Sequence, residues 1–126
     1  MNILYAEDKP SNQASLQAQL AAIGCSVDLA NDGQACIDKM KEKAYDLVLL
    51  DVQMPRLNGL EVAQKVRAGE AGEANKEVFL VALTAYALQG DRQMCIDAGM
   101  NDYLSKPLRL KTLRDLVDQA GKKAQA

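Results

Sequence analysis

"LVLLDVQMP", Leu47 to Pro55, sets a carboxylate at the end of four consecutive apolar residues. Leu47, Val48, Leu49 and Leu50 read as a strand buried on both faces, the pattern of a parallel sheet covered by helices. An unpaired charge is costly to bury. Asp51 is therefore either a turn residue or a reactive group held in place by the strand. The rest of the chain decides between the two.

Outward from this strand, short apolar runs alternate with amphipathic stretches. Ile3-Leu4-Tyr5-Ala6 is a first strand ending in Glu7-Asp8. Pro10 suits the first turn of a helix. Leu16, Leu20 and Ile23 share one face of that helix, and Gly24 stops it. Cys25 to Ala30 reads as a second strand, polar at Ser26 and Asp28 and so at an edge. Asn31-Asp32-Gly33 is a turn signal. Ile37, Met40 and Ala44 mark a second helix. Asp46 to Asp51 is the third strand, and Val52 to Gly59 a loop. Val62, Ala63 and Val66 face one way on a third helix. "AGEAGEANK", Ala68 to Lys76, reads as a flexible connection. Val78 to Leu83 is a fourth strand ending at Thr84, and Gln89 to Ala98 a weakly amphipathic helix. Tyr103-Leu104-Ser105 is a fifth strand running into Lys106-Pro107. Leu110, Leu113, Leu116, Val117 and Ala120 stripe the last helix. Five strands alternating with five helices predict an α/β fold, a doubly wound parallel sheet with helices on both faces. One domain over residues 1–121 and a frayed tail at 122–126 are expected.

Composition narrows the function. The 126 residues are 48% hydrophobic, with 15 basic and 17 acidic side chains and a net charge of −2. That balance gives no reason to expect a nucleic-acid or membrane surface. No apolar run approaches the ~20 residues that cross a bilayer, and Met1-Asn2-Ile3-Leu4 lacks the basic region of a signal peptide. A soluble, cytoplasmic protein is the reading. Cys25, Cys36 and Cys95 are widely spaced and read as reduced small hydrophobes. The chain has no histidine, which removes the commonest general base and argues against a metal–thiolate site.

Ligands of an open parallel sheet bind beyond the C-terminal ends of its strands. Those ends carry Glu7 and Asp8, Asp51, Thr84 and Lys106. Two carboxylates about 5 Å apart at an effective dielectric of ~20 repel by roughly 3 kcal/mol. Three such groups call for a cation or raised pKa values. Mg2+ prefers hard oxygen ligands and bridges to phosphate oxygens. A carboxylate can itself be the nucleophile that forms an aspartyl-phosphate. Lys106 would then balance one phosphoryl oxygen, and Thr84 would donate to another. The plainer readings are also open. Asp8 could cap the helix before Pro10, Thr84 could be a helix-entry residue, and Lys106 could be a solvated surface lysine. Tyr103, Met94, Met100 and Cys95 could be packing alone. The Leu110 to Ala120 stripe reads as core.

The stretches "YAEDKPSNQ", "LVLLDVQMPRLNGLEV", "VALTAYALQGD" and "AGMNDYLSKPL" resemble the receiver domain of two-component response regulators. The resemblance spans Asn2 to about Ala120. It implies a flavodoxin-like sheet of order 2-1-3-4-5. It also implies Asp51 as phosphoacceptor and Glu7, Asp8, Asp51 and the Gln53 carbonyl at an Mg2+ ion, Asp8 being the likelier direct ligand. Thr84 becomes the switch hydroxyl, Lys106 the phosphoryl-pairing lysine ahead of a cis Pro107, and Tyr103 a switch aromatic that follows Thr84 inward. Ala85 would leave room for the phosphoryl group, and Tyr86 would tune its lifetime with Gln53. The partner would be a histidine kinase or a histidine phosphotransfer protein. The finer match is to receivers of hybrid sensor histidine kinases, so the chain is either a stand-alone receiver or one from a larger protein. Such a domain is a phosphoacceptor switch that assists its own phosphorylation and dephosphorylation, not a turnover enzyme.

Rivals fit less well. A haloacid dehalogenase-like phosphatase needs a second Asp where Gln53 stands. A flavodoxin-like redox protein would find the acidic loop repelling its flavin phosphate. A nucleotide switch needs a G-x-x-x-x-G-K-[ST] that is absent. A pseudo-receiver that docks without being phosphorylated is the remaining alternative, although such domains usually lose an acid or the lysine.

Overall fold

The computed structural model describes residues 1–52, 57–84, 91–106 and 108–125. The elements run β1 (Ile3–Ala6), α1 (Pro10–Ala22), β2 (Asp28–Ala30), α2 (Gly33–Glu42), β3 (Leu47–Asp51), α3 (Gly59–Arg67), β4 (Phe79–Thr84), α4 (Asp91–Asp97), β5 (Asp102–Ser105) and α5 (Leu110–Gln125). All four strand pairings are parallel, in the order β2-β1-β3-β4-β5.

Alternation along the strands divides the core in two. Leu4 and Ala6, Val48 and Leu50, and Leu80 and Ala82 point to one face, where Cys36, Ile37 and Met40 of α2, Val62, Ala63 and Val66 of α3, and Cys95 of α4 cover them. Ile3 and Tyr5, Leu47 and Leu49, and Val81 and Leu83 point to the other, under Leu16 and Leu20 of α1 and Leu113, Leu116 and Ala120 of α5. This explains why β3 reads as an unbroken apolar run: neither face is wet. Leu47 to Leu50 are all 0% exposed, each worth roughly 1.5–3 kcal/mol of burial.

Several boundaries differ from the sequence reading. β2 holds only Asp28–Ala30, because the Cys25 N–H closes α1 by donating to the Leu20 carbonyl at 2.9 Å, with Gly24 at φ 80°. A glycine in this left-handed conformation is what such a helix end demands. β2 pairs with β1 alone and lies at the sheet edge, as its polarity suggested. α2 ends at Glu42, short of Ala44. α5 extends over Leu110–Gln125, past the domain end expected at residue 121. Met94, read as packing, is 54% exposed, whereas Cys95 and Met100 are buried.

The segment expected to be a flexible connection is pinned at its end. A 3-10 turn over Glu73–Asn75 buries Asn75 to 1% exposure. The Asn75 amide donates to the Met40 and Lys43 carbonyls at 2.5 and 2.9 Å, and its Oδ1 accepts from the Tyr45 N–H at 2.8 Å. One side chain thus satisfies the end of α2 and the entry to β3. Arg67 does the same for the other side, donating to the Gly99 and Lys76 carbonyls at 2.8 Å each and to Asn101 Oδ1 at 2.9 Å. Stranding buried polar groups costs about 1–3 kcal/mol apiece. Asn75→Ala is therefore expected to lower the unfolding free energy by roughly 2–4 kcal/mol, measured by urea denaturation. A loss within about 0.5 kcal/mol, normal for a solvated surface position, would contradict this role.

Candidate functional site

The C-terminal ends of β1, β3, β4 and β5 meet at one rim. β1 ends in the acidic pair, and the Glu7 N–H still donates to the Ala30 carbonyl at 2.9 Å, so Glu7 is held as a continuation of the strand. Its side chain is 0% exposed. Among the described residues, donors from Lys9, Asn12, Tyr5 and Lys106 reach it. Lys9 N and Asn12 Nδ2 donate to Oε1 at 3.3 and 3.2 Å, and Tyr5 Oη and Lys106 Nζ donate to Oε2 at 3.0 and 2.5 Å. Both carboxylate oxygens are thus hydrogen-bonded within the protein.

Asp8 is the exposed member of the pair. It does not cap α1: Lys9 occupies the N-cap position and no side chain caps that end. Asp51 closes β3 at 7% exposure, and its Oδ2 accepts from Lys106 Nζ at 3.2 Å. Carboxylate oxygens of Glu7, Asp8 and Asp51 lie within 4.8 Å of one another.

The sheet register sets the remaining groups. Asp51 pairs with Leu83, so Thr84 stands one residue beyond it on the neighbouring strand, buried to 4%. The Lys106 N–H donates to the Thr84 carbonyl at 2.7 Å, which aligns the end of β5 with the end of β4. The Lys106 ammonium then lies between Glu7 and Asp51 and links three strand ends. Tyr103 lies opposite Ala82 and packs in the cluster with Cys95, Ala98 and Met100. At 8% exposure its ring is already buried, so an inward movement is not required to bury it. Gln53, Ala85, Tyr86 and Pro107 lie outside the described residues.

Three contributors escaped sequence reasoning. Tyr5 looked like one more apolar strand residue, and Asn12 carried no signal of its own. Gly59 looked like a loop end. It is in fact a close-approach position: its N–H donates to the Val52 carbonyl at 3.1 Å, and a Cβ there would meet the Asp51 carbonyl oxygen at 2.9 Å. Asn58 and Glu61 form a reciprocal cap on α3 beside it.

The electrostatics favour an ionised Glu7. Burial pushes its pKa up, but hydrogen bonding with Asp51, Lys106 and Asn12 outweighs this and holds it at about 2. Burial, then the neighbouring Glu7 charge, push the Tyr5 phenol upward, so it remains a donor at neutral pH. The donor set is all hard oxygen, with an exposed carboxylate at the mouth, and it suits a small divalent cation.

This arrangement, on this sheet, is that of a signalling receiver. Residues 3–118 match the family described as the response regulator receiver domain, and the chain belongs to it. It is 35% identical over 115 residues to the sensor protein GacS of Pseudomonas syringae pv. syringae, covering 91% of this chain and 13% of that protein. It is 37% identical to the sensor protein EvgS of Escherichia coli K12, covering 94% of this chain and 10% of that protein. The chain thus spans only about a tenth of the length of these relatives. The receiver domain of sensor histidine kinase PA1611 from Pseudomonas aeruginosa, with a magnesium ion coordinated in its active-site cleft, superposes with a TM-score of 0.84 at 40% identity, covering 95% of this chain and 97% of that one. The receiver domain of Saccharomyces cerevisiae Ssk1, solved with the histidine phosphotransfer protein Ypd1, gives 0.79 at 36% identity, covering 90% and 83%. Among the described residues no helix is long and apolar enough to cross a membrane.

Glu7 supplies a pH signature. Its folded pKa lies below the ordinary 4.5. Its ionised form therefore stabilises the fold above pH 4.5, and that contribution is lost as the pH falls through about 2. Glu7→Gln is expected to flatten the fall in unfolding free energy across this window, measured by denaturant titration at stepped pH. An unchanged slope would contradict the assignment.

Proposed function

We propose that Asp51 accepts a phosphoryl group from a phosphohistidine on a histidine kinase or histidine phosphotransfer protein. The observation that carries this reading is the gathering of Glu7, Asp8 and Asp51 around the Lys106 ammonium. An Asp51 carboxylate oxygen forms the new O–P bond as the donor's P–N bond breaks. The electron pair returns to the imidazole nitrogen, which takes up a proton. That imidazole belongs to the partner, since this chain has no histidine.

Asp8 and Asp51 would hold Mg2+ directly, with Glu7 behind them and the Gln53 carbonyl as the further ligand the family pattern suggests. Bound there, the ion would neutralise the charge spread over the phosphoryl oxygens. Lys106 exchanges its bond to Asp51 Oδ2 for one to a phosphoryl oxygen. The Thr84 hydroxyl donates to another, and Tyr103 responds from its packed position on β5. The same groups assist loss of the phosphoryl group to water. The switch is a shift in population at a surface that a partner reads. By likeness to its relatives, the domain works within a phosphorelay as a receiver segment of a hybrid sensor kinase.

Treatment with acetyl phosphate and Mg2+ is expected to add one phosphoryl group by intact mass. The gain should vanish in Asp51→Asn, and Asp8→Asn should slow it by about tenfold or more, at ~1.4 kcal/mol per factor of ten. A wild-type protein that never labels, yet still binds a histidine phosphotransfer protein, would favour the pseudo-receiver.

A further inference from the structure

The Lys106 ammonium is shared between two carboxylates, and one of its acceptor oxygens is shared with a third group. Lys106 Nζ donates to Glu7 Oε2 at 2.5 Å and to Asp51 Oδ2 at 3.2 Å. The Tyr5 hydroxyl donates to that same Glu7 Oε2 at 3.0 Å. Tyr5 lies at 2% exposure in mid-β1, on the face covered by α1 and α5, so its ring is fixed by packing and its hydroxyl has little freedom to leave. Where a strand needs only bulk at such a position, leucine would do. The hydroxyl is a polar atom placed in the core and aimed at the site. Its bond is charge-assisted, about twice as strong as one between neutral groups.

We infer that Tyr5 is a positioning residue for Lys106: by donating to Glu7 Oε2, its hydroxyl weakens that oxygen's hold on the ammonium and leaves Lys106 able to turn toward the group on Asp51. This rests on the phosphoacceptor reading above. Asn12 cannot substitute, because it serves the other oxygen, Oε1. Without the hydroxyl, Oε2 turns wholly to the ammonium, which stays with Glu7 when the phosphoryl group arrives.

The test is Tyr5→Phe, which keeps the ring and removes the donor. Two readouts are taken on the intact chain: the initial rate of phosphorylation by acetyl phosphate with Mg2+, and the Lys106 15Nζ shift read through its Cε protons. The rate is expected to fall about three- to tenfold at an unchanged half-saturating donor concentration, in line with the ~1 kcal/mol of one hydrogen bond, and the Nζ resonance is expected to move. An unchanged rate overturns the inference. So does a slower rate with an unmoved Nζ resonance, since that marks a packing defect. A wild-type protein that never labels refutes the phosphoacceptor reading instead. The Nζ resonance then decides alone whether Tyr5 governs Lys106: a shift keeps that part of the inference, and no shift ends it.

Discussion

A single ammonium between two nearly buried carboxylates governs this structure. Lys106 reaches Glu7 and Asp51 together, with 17% of its own side chain exposed. Removing one partner from a buried ion pair typically costs about 3–5 kcal/mol, because the other charge is left stranded. The pair therefore constrains more than a side-chain rotamer. It requires the end of β5 to lie level with the ends of β1 and β3 at the same rim, across β4, and the bond from the Lys106 N–H to the Thr84 carbonyl sets that alignment from the backbone.

The sheet beneath offers the charges no way to move apart. β3 is central, paired with β1 and β4 and apolar on both faces. β1 is likewise paired on both sides, with β2 and β3. Just beyond Asp51, the Gly59 N–H ties the chain back to the Val52 carbonyl, at a position where a Cβ would press on the Asp51 carbonyl oxygen. Crowding that cannot be relieved by geometry must be relieved by chemistry. Lys106 balances part of the charge, and Asp8 carries the remainder at the solvent-facing edge. A site that stores negative charge on a rigid platform is suited to respond when that charge changes.

How much of this could be read beforehand depended on whether a feature was periodic or local. The parallel α/β architecture and the clustering of Glu7, Asp8, Asp51, Thr84 and Lys106 at one rim were legible, because alternating apolar runs dictate where strand ends fall; the strand order followed from the family resemblance, not from the runs themselves. Gly24 marked the end of α1 correctly. Three short-range decisions were hidden. Cys25 gives its N–H to a helix end and not to a strand. Asn75 is buried inside a run of small polar residues whose composition suggested a loose connection. The Tyr5 hydroxyl finds its partner two residues away on the same strand, a contact that depends on the strand's pleat and on α1 closing over it. None of these leaves a periodic trace, since each rests on one side chain meeting one backbone or carboxylate group.

The central claim is that this rim carries uncompensated negative charge that a divalent cation relieves. Its most direct test is the unfolding free energy with and without Mg2+ at constant ionic strength. A free ion concentration of about ten times the dissociation constant should stabilise the wild-type fold by roughly 1–2 kcal/mol, and Asp8→Asn should lose most of that gain. Equal stabilisation of the wild type and of Asp8→Asn, or none in either, would contradict the account.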